Sequence, residues 1–270
     1  MGRIRFENVG RDFTRGGEAF QALVDVNLEV ADREFVAIVG PSGCGKTTLM
    51  RMVAGLEFPG RGHVTVDGRE ITDPGPDRAV VFQAFALFPW KTVAENIGFG
   101  LKCKGETEVQ RASVVARYIE LMGLAGYEKA FPHQLSGGMQ QRVAIARSYA
   151  LDPGVLLMDE PFGALDAQTR VVMQEELIRL ARQNPRTVLF ITHAVEEAVY
   201  LADRVVVMSR RPGRIKEIVD VGQVRKAEGW DRLEHIEEVM DTASFVHLRT
   251  HIWRLLREQS GSIARLAKAM

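Results

Sequence analysis

The chain carries short, continuous apolar runs separated by longer stretches in which apolar residues have helical spacing. The runs lie at residues 35–39, 79–82, 155–158, 188–191 and 205–208. Runs this short, with no polar interruption, are typical of strands that are buried on both faces of a sheet. Helical spacing is found at residues 47–56, 140–151, 167–184 and 195–201. Strands that alternate with helices predict an α/β fold with a mainly parallel sheet covered on both faces.

Three other segments depart from this alternation. Residues 24–30 alternate apolar and polar side chains, which predicts a half-buried strand with residues 4–9 as a plausible partner. Residues from about 85 to 151 are mostly helical in pattern, so we predict a helical subdomain inserted into the sheet domain. The tail begins with a short predicted strand at 214–219. It continues with apolar residues at helical spacing: Leu248, Ile252, Leu255 and Leu256. We therefore predict one main domain over residues 1–220 and a helical C-terminal tail over 221–270.

Composition narrows the class of protein. The chain has 270 residues, of which 46% are hydrophobic, and its 35 lysines and arginines balance its 35 aspartates and glutamates. A balanced charge gives no electrostatic reason to expect nucleic acid as the main partner. The 2 cysteines have no metal-ligand spacing. No apolar run approaches the roughly 18 residues of a membrane span, and no signal peptide is evident. We expect a soluble protein unless another chain holds it at a membrane.

A glycine-rich loop follows the apolar run at 35–39 and precedes a predicted helix. Its residues match G-x-x-x-x-G-K-[ST]: Gly40, Pro41, Ser42, Gly43, Cys44, Gly45, Lys46 and Thr47. Glycines allow a tight turn whose N–H groups cradle phosphates, and the helix that follows directs its positive end at the same place. Lys46 adds a cation for the outer phosphates of ATP, and the Thr47 hydroxyl is a ligand for Mg²⁺.

Polar residues end three of the other predicted strands. Asp159 and Glu160 follow the run at 155–158, where they are placed to hold magnesium and to activate water as a general base. His193 ends the run at 188–191 on the predicted phosphate-facing edge, and Gln83 ends the run at 79–82. Because ligands of α/β proteins bind at the carboxyl ends of strands, we expect these side chains to serve one chemistry.

The segment Ser136-Gly137-Gly138, before a predicted helix, is a second anion-binding helix terminus. One ATP needs only one P-loop. We therefore expect this segment to bind a nucleotide held by another chain. A simple helix N-cap by Ser136 is the alternative.

In order and spacing, these motifs resemble those of the nucleotide-binding subunits of ABC transporters over roughly residues 4–208. The Walker A segment runs from Gly40 to Thr48, and Gln83 matches the Q-loop. Residues 135–140, ending at Gln140, match the family signature, with Met139 in place of its usual final glutamine. The remaining matches are Asp159 and Glu160 (Walker B and catalytic glutamate), Asp166 (D-loop), His193 (switch histidine) and Phe13 (the aromatic that stacks on adenine).

The resemblance implies a P-loop NTPase (RecA-like) core with an antiparallel β subdomain and an inserted α-helical subdomain. It implies ATP and Mg²⁺ as bound groups, with Thr47, Gln83 and Asp159 as metal ligands. It assigns catalysis to Glu160, His193 and Gln83. Nucleotide binding falls to Phe13, Gly40 to Thr48, and Ser136, Gly137, Gly138, Gln140 and Asp166. The working form is a head-to-tail dimer in which Ser136 and Gly138 close the γ-phosphate site of the other subunit.

Narrower features resemble the nitrate, sulfonate and taurine importers. These features are Phe88-Pro89-Trp90 and the segment at 211–215. The resemblance implies transmembrane permease subunits as partners, a periplasmic or lipid-anchored solute-binding protein acting indirectly, and a place at the cytoplasmic face of the membrane. We expect a docking surface for the permease at Phe85, Leu87, Phe88 and Trp90, although internal packing of the subdomain explains the same residues equally well.

Two other functions remain as alternatives. A soluble ABC ATPase that acts on ribosomes or DNA usually has two nucleotide domains or a long coiled coil, and neither pattern occurs in this sequence. A regulatory nucleotide-binding protein without turnover would not need Glu160 and His193 together.

Overall fold

The computed structural model describes residues 2–233 and 235–266. These residues form two compact units. Unit 1 comprises Met1–Pro74 and Thr187–Met270, and unit 2 comprises Gly75–Arg186. The strands are β1 (Ile4–Arg15), β2 (Glu18–Val30), β3 (Phe35–Val39), β4 (Arg61–Val66), β5 (Arg69–Glu70), β6 (Arg78–Val81), β7 (Val155–Asp159), β8 (Thr187–Ile191), β9 (Arg204–Met208) and β10 (Ile215–Asp220).

The helices follow the same chain order. They are α1 (Lys46–Ala54), α2 (Val93–Cys103), α3 (Glu108–Leu121), α4 (Gly137–Ala150), α5 (Ala167–Gln183), α6 (Val195–Leu201), α7 (Gly222–Glu228), α8 (Ile236–Met240) and α9 (Ala243–Leu266). Among the residues that the structure describes, no helix is both long enough and apolar enough to cross a bilayer.

Unit 1 contains an antiparallel sheet with the strand order β2-β1-β4-β5. The half-buried strand predicted at 24–30 is the second half of β2, and it pairs with β1 as expected. Both strands continue well beyond the predicted segments, into a hairpin in which Phe13 lies opposite Phe20. The pattern of apolar residues does not predict β4 or β5.

The parallel strands of unit 1 are β3, β8 and β9. Strand β3 lies between the other two, with Ile38 opposite Ile191 on one side and Val206 on the other. Every residue of β3 and β8 is buried, as expected for strands covered on both faces. Strand β10 adds an antiparallel edge against β9.

The C-terminal helices belong to unit 1. Helix α9 packs on α6, α8 and β9. Phe245 and Ile252 are fully buried, and the Phe245 ring lies 5.8 Å from that of the buried Trp230. The apolar stretch that predicted a helix in the tail is therefore the packed face of α9.

Unit 2 contains the parallel pair β6 and β7 together with α2, α3, α4 and α5. Helices α2 and α3 each begin with a capping box, in which the hydroxyl of Thr92 or Thr107 accepts a hydrogen bond from the third residue of the helix. Helix α4 packs against α2, and its residues Ile145 and Tyr149 are fully buried.

Candidate functional site

The glycine loop between β3 and α1 has a backbone that favours glycine at two positions. Gly43 and Gly45 have φ angles of +75° and +99°. A Cβ atom at Gly45 would lie 2.4 Å from Leu23 Cδ2, and one at Gly40 would lie 2.9 Å from Cys44 Sγ. The loop is therefore held against β2 and folded on itself, with its turns fixed by close contacts.

Helix α1 begins at Lys46 without a side-chain cap. Gly45 occupies the N-cap position and provides no side-chain hydrogen bond to the first turn, where Thr47 and Thr48 lie half-exposed. The N–H groups at such a helix start, together with its dipole, favour a bound anion. Lys46 is only 5% exposed, and its Nζ donates to the carbonyls of Gly40 at 2.8 Å and Pro41 at 3.2 Å. A buried ammonium held by neutral carbonyls is poised to pair with a negatively charged phosphate.

Cys44 lies inside the loop with its side chain buried. Its Sγ atom is 4.0 Å from Lys46 Nζ. Burial raises the pKa of the Cys44 thiol, and the nearby Lys46 charge opposes that rise only in part. Cys44 therefore packs as a neutral thiol in the wall of the loop.

Phe13 lies on the β1–β2 hairpin with its ring half-exposed. Its ring centroid is 6.1 Å from that of Phe20, and the Arg11 guanidinium lies 5.0 Å from the Phe13 centroid. A half-exposed aromatic ring has a π-face of the kind on which a base stacks.

The turn between β9 and β10 contacts the glycine loop. Arg211 Nε donates to the Gly43 carbonyl at 2.9 Å, and its guanidinium lies 4.9 Å from the centroid of Phe20. Gly213 donates its N–H to the Ala22 carbonyl at 2.8 Å. Sequence reasoning found these residues only as a resemblance to importers. The only signal of this contact in the sequence is the glycine at position 213. The structure explains it, because a Cβ atom there would lie 1.9 Å from the Cys44 carbonyl oxygen.

His193 leaves the same edge of the unit 1 sheet as the glycine loop. Ile191 of β8 pairs in parallel with Ile38 of β3, so the residues after each strand emerge side by side. The turn is held by Thr192, whose Oγ1 donates to Glu197 Oε2 at 2.5 Å and accepts from the Ala194 N–H at 3.0 Å. His193 itself is exposed.

In unit 2, Gln83, Asp159 and Glu160 lie at one edge of a parallel pair. Val81 of β6 is opposite Met158 of β7, which brings the polar residues that follow both strands together. Glu160 adopts a left-handed φ of +48°, a conformation that is strained for a residue with a side chain. A Cβ atom at Gly163 would lie 3.3 Å from both Gln83 Nε2 and the Glu160 carbonyl oxygen. The structure therefore gathers these three predicted residues within unit 2.

The predicted signature segment begins α4. Ser136 Oγ accepts from the Met139 N–H at 3.3 Å, so the N-cap that the simpler interpretation requires is present. Gln140 Nε2 donates to the Leu135 carbonyl at 3.2 Å. Gly137 and Gly138, in the first turn, have no side chain to cover the helix start.

Asp166 caps the neighbouring helix α5. Its carboxylate accepts from the Thr169 N–H at 3.0 Å and from Thr169 Oγ1 at 2.7 Å, and these hydrogen bonds lower the pKa of Asp166. A Cβ atom at Gly138 would lie 2.5 Å from Thr169 Cγ2. The signature segment and Asp166 are therefore neighbours in unit 2, at the starts of two packed helices.

The predicted docking segment, residues 85–90, divides into a packed part and an exposed part. The Phe88 ring lies 4.5 Å from that of Phe99 in α2, so Phe88 is partly internal. Trp90 is 70% exposed. Phe85 and Leu87 are half-buried. The segment thus contains both the internal packing and the exposed apolar surface that the sequence left as alternatives.

Comparisons with known proteins place these features in a family. Residues 23–163 match the ABC transporter family. The chain is 48% identical over 213 residues to the nitrate import ATP-binding protein NrtD of Synechocystis sp., a match that covers 79% of this chain and 80% of that protein. It is 43% identical over 260 residues to the bicarbonate transport ATP-binding protein CmpC of Synechococcus elongatus, a match that covers 95% of this chain and 38% of that longer protein.

A comparison with solved structures agrees with this family. The chain aligns at 31% identity and a TM-score of 0.71 with a dimeric ATP-binding cassette in a post-hydrolysis state bound to ADP and Pi. The alignment covers 81% of this chain and 98% of the cassette. The predicted resemblance and the predicted P-loop NTPase fold are confirmed. The individual roles of the site residues and the division at residue 220 stay predictions.

Proposed function

The chain belongs to the ABC transporter family and is an ATPase, and we propose that it is the ATP-hydrolysing subunit of an importer for a small anion. The observation that carries the proposal is the glycine loop of unit 1. Its fixed turns, the start of α1 without a side-chain cap and the buried Lys46 together provide a positive helix end and one cation. Phosphate groups of a nucleotide fit this donor set, and residues Gly40 to Thr48 would bind them.

Adenine would stack on Phe13. The half-exposed ring offers a π-face on the hairpin of unit 1, and a phenyl ring supports stacking without a hydroxyl group. We expect Thr47, Gln83 and Asp159 to be the ligands of magnesium, since a hydroxyl, an amide and a carboxylate offer the oxygen atoms that this hard cation prefers. When bound, the ion would neutralise charge that develops on the phosphate oxygens.

Glu160 would act as the general base in hydrolysis. Its carboxylate accepts a proton as water attacks the γ-phosphorus, and the bond to the bridging oxygen of ADP breaks. Gln83 would orient the water or hold magnesium, and His193 would contact the γ-phosphate. The strained backbone at Glu160 supports this role, because strain of this kind concentrates at functional sites.

A complete site would need a second copy of this chain or a paralogue. Ser136, Gly137, Gly138 and Gln140 form the start of α4, where the Ser136 hydroxyl caps the helix, and Asp166 caps the adjoining helix α5. We propose that these residues close a nucleotide held by the partner's glycine loop, as in a head-to-tail dimer. A lone chain would then bind ATP and hydrolyse it slowly.

The transported substrate is proposed from the relatives. The names of the two relatives described above specify nitrate and bicarbonate, which are both small, singly charged oxyanions. We place the chain at the cytoplasmic face of the membrane, held there by permease subunits. The exposed Trp90 and its neighbours in the docking segment are the proposed contact with those subunits. A solute-binding protein would select the anion on the other side of the membrane.

The test compares two assembled transporters, one with the wild-type chain and one with the Glu160→Gln variant. We expect the wild type to hydrolyse ATP and drive uptake of labelled nitrate or bicarbonate into vesicles. Glu160→Gln should lower turnover by about 100-fold or more, the range expected for loss of a general base, while ATP still binds. Glu120→Gln, an exposed glutamate of α3, is the matched control and should retain wild-type turnover.

Two results would contradict the proposal. An assembled wild-type complex without ATP turnover would show that the chain does not power transport. ATP turnover stimulated by ribosomes or DNA, with no association with permease subunits, would assign the chain to a soluble ABC ATPase instead.

A further inference from the structure

Arg147 links two parts of unit 2 that the proposed function treats separately. It lies on α4, the helix that begins with Gly137 and Gly138. Its Nη1 atom donates to the Ala86 carbonyl at 2.8 Å, and its Nη2 atom donates to the Phe85 carbonyl at 3.2 Å. Its guanidinium also lies 5.6 Å from the centroid of the Phe88 ring. One side chain thus contacts three residues of the docking segment.

The environment of Arg147 is unusual for an arginine. Desolvation lowers the pKa of its guanidinium. Among the described residues, no carboxylate lies within ion-pair distance of it. The cost of removing this cation from water is offset by two backbone carbonyls and an aromatic face. An arrangement of this kind costs more free energy than ordinary side-chain packing does. It is well suited to fixing the conformation of a backbone.

The backbone that Arg147 holds is strained. Phe85 and Ala86 have φ angles of +54° and +48°, and both are non-glycine residues. Left-handed residues of this kind persist only where surrounding contacts determine their conformation. The planar fork of an arginine fits two adjacent carbonyls, which the single point charge of a lysine would satisfy less well.

A second anchor fixes the other end of the same segment. Asn96 of α2 is fully buried, and its Oδ1 accepts from the Phe88 N–H at 2.9 Å while its Nδ2 donates to the Phe88 carbonyl at 3.2 Å. Arg147 and Asn96 therefore hold the segment from two packed helices. Gln83 lies just before the held stretch, and Trp90 lies just after it.

We propose that Arg147 is a positioning residue that ties the helix of the signature segment to the backbone between Gln83 and Trp90. Movement of α4 then moves the docking segment, and displacement of the docking segment moves Gln83. The link between Arg147 and the backbone stands on the contacts within unit 2. Its use in transport rests on the proposed function, in which Trp90 contacts a permease.

The first test measures the backbone directly. We compare hydrogen exchange in the full-length wild-type chain, Arg147→Met and Arg147→Lys. The Phe88 and Lys91 amides are hydrogen-bonded in this segment, and they should exchange about tenfold faster in Arg147→Met than in the wild type. Their exchange rates in Arg147→Lys should lie between those of the wild type and Arg147→Met. Arg142→Met is the matched control, since Arg142 lies on the same helix but bonds to Met122 and Glu176. Unchanged exchange in Arg147→Met, or equal acceleration in the control, would overturn the proposal.

The second test separates positioning from general loss of structure. Arg147→Met should lower kcat for ATP by about tenfold, because Gln83 is displaced, and should change KM by less than about twofold. Arg147→Lys should recover part of the lost kcat. Equal changes in kcat and KM in Arg147→Met and Arg142→Met would show that Arg147 is merely structural.

The third test adds permease in vesicles. Wild-type turnover should rise when the permease is present, and Arg147→Met should lose most of that stimulation while it still co-purifies with the permease. If the permease raises the turnover of Arg147→Met by the same factor as that of the wild type, the proposed coupling role is wrong. If the permease neither binds nor stimulates the wild type, the proposed function fails, and the exchange and kcat tests alone decide the role of Arg147.

Discussion

The two cysteines differ in their chemistry because one is buried and the other is exposed. Cys44 is 1% exposed and its thiol has a raised pKa, whereas Cys103 is exposed at the end of α2. Alkylation needs the thiolate, so a raised pKa moves the reaction of Cys44 to higher pH and burial slows it further. At pH 7.5, N-ethylmaleimide should therefore add one group to the native chain, at Cys103.

Intact mass and peptide mapping check this prediction. Native Cys103→Ser should stay unmodified for at least about ten times the half-time of wild-type labelling. Denatured protein should gain two groups, which controls for the reactivity of both thiols. Rapid labelling of Cys44 in the native Cys103→Ser chain would contradict the buried, neutral thiol described above.

The residues that sequence reasoning could not predict are those with unfavourable backbone conformations. The motif at 155–160 identified Glu160 by chemistry, yet nothing in its neighbours indicated a left-handed φ of +48°. Phe85 and Ala86 share this property, and the contact that explains it comes from Arg147, more than sixty residues later in the chain. Local patterns predict local propensity, and strain maintained by distant contacts is invisible to them.

At the scale of elements, the turn between β9 and β10 supports the glycine loop. Gly213 donates to the Ala22 carbonyl and accepts from the Val24 N–H at 3.0 Å, so the turn is attached to β2. Because an alanine Cβ at this position would lie 1.9 Å from the Cys44 carbonyl oxygen, Gly213→Ala should push the turn away from the loop. We expect a loss of about 1–3 kcal/mol in unfolding free energy. ATP affinity should fall by about tenfold, which corresponds to about 1.4 kcal/mol.

Urea unfolding and ATP titration measure the two effects separately. Gly60→Ala is the matched control, since its added Cβ would meet nothing closer than 3.5 Å. A Gly213→Ala chain with reduced stability but unchanged ATP affinity would show that the turn supports the fold alone.

The elements that could be predicted are those whose own residues carry the signal. Strand β3 and helix α6 were located because an apolar run or a helical repeat fills them. Strand β4 was missed because its sequence, Arg-Gly-His-Val-Thr-Val, has only two buried apolar residues, and its strand character comes from pairing with β1. The outer part of the β1–β2 hairpin was missed for the same reason, since its pairing partners are mostly exposed and polar.

At the scale of the whole molecule, the sequence predicted the family and the ATPase activity because the motifs are spread along most of the chain. The small-anion substrate remains a proposal. No residue of this chain is proposed to contact the transported ion. The sequence therefore contains no pattern that indicates the chemistry of that ion. The C-terminal segment presents the opposite case, because its pattern predicted a helix but no role. Its packing in unit 1 leads to a definite expectation.

Residues 230–270 should be needed for the stability of unit 1. Trp230, Phe245 and Ile252 are at most 2% exposed, and α9 covers α6 and β9. Ile252→Ala should therefore cost about 2–5 kcal/mol of unfolding free energy, the usual range for emptying a buried site. Its neighbour Trp253 is 42% exposed, so Trp253→Ala should cost clearly less unfolding free energy and serves as the matched control.

Removal of residues 230–270 should lower the Tm further than either substitution, because it exposes the apolar faces of α6 and β9 to water. Thermal unfolding followed by circular dichroism measures all three. A truncated chain with the wild-type Tm would show that the tail is an appendage, independent of the domain on which it lies.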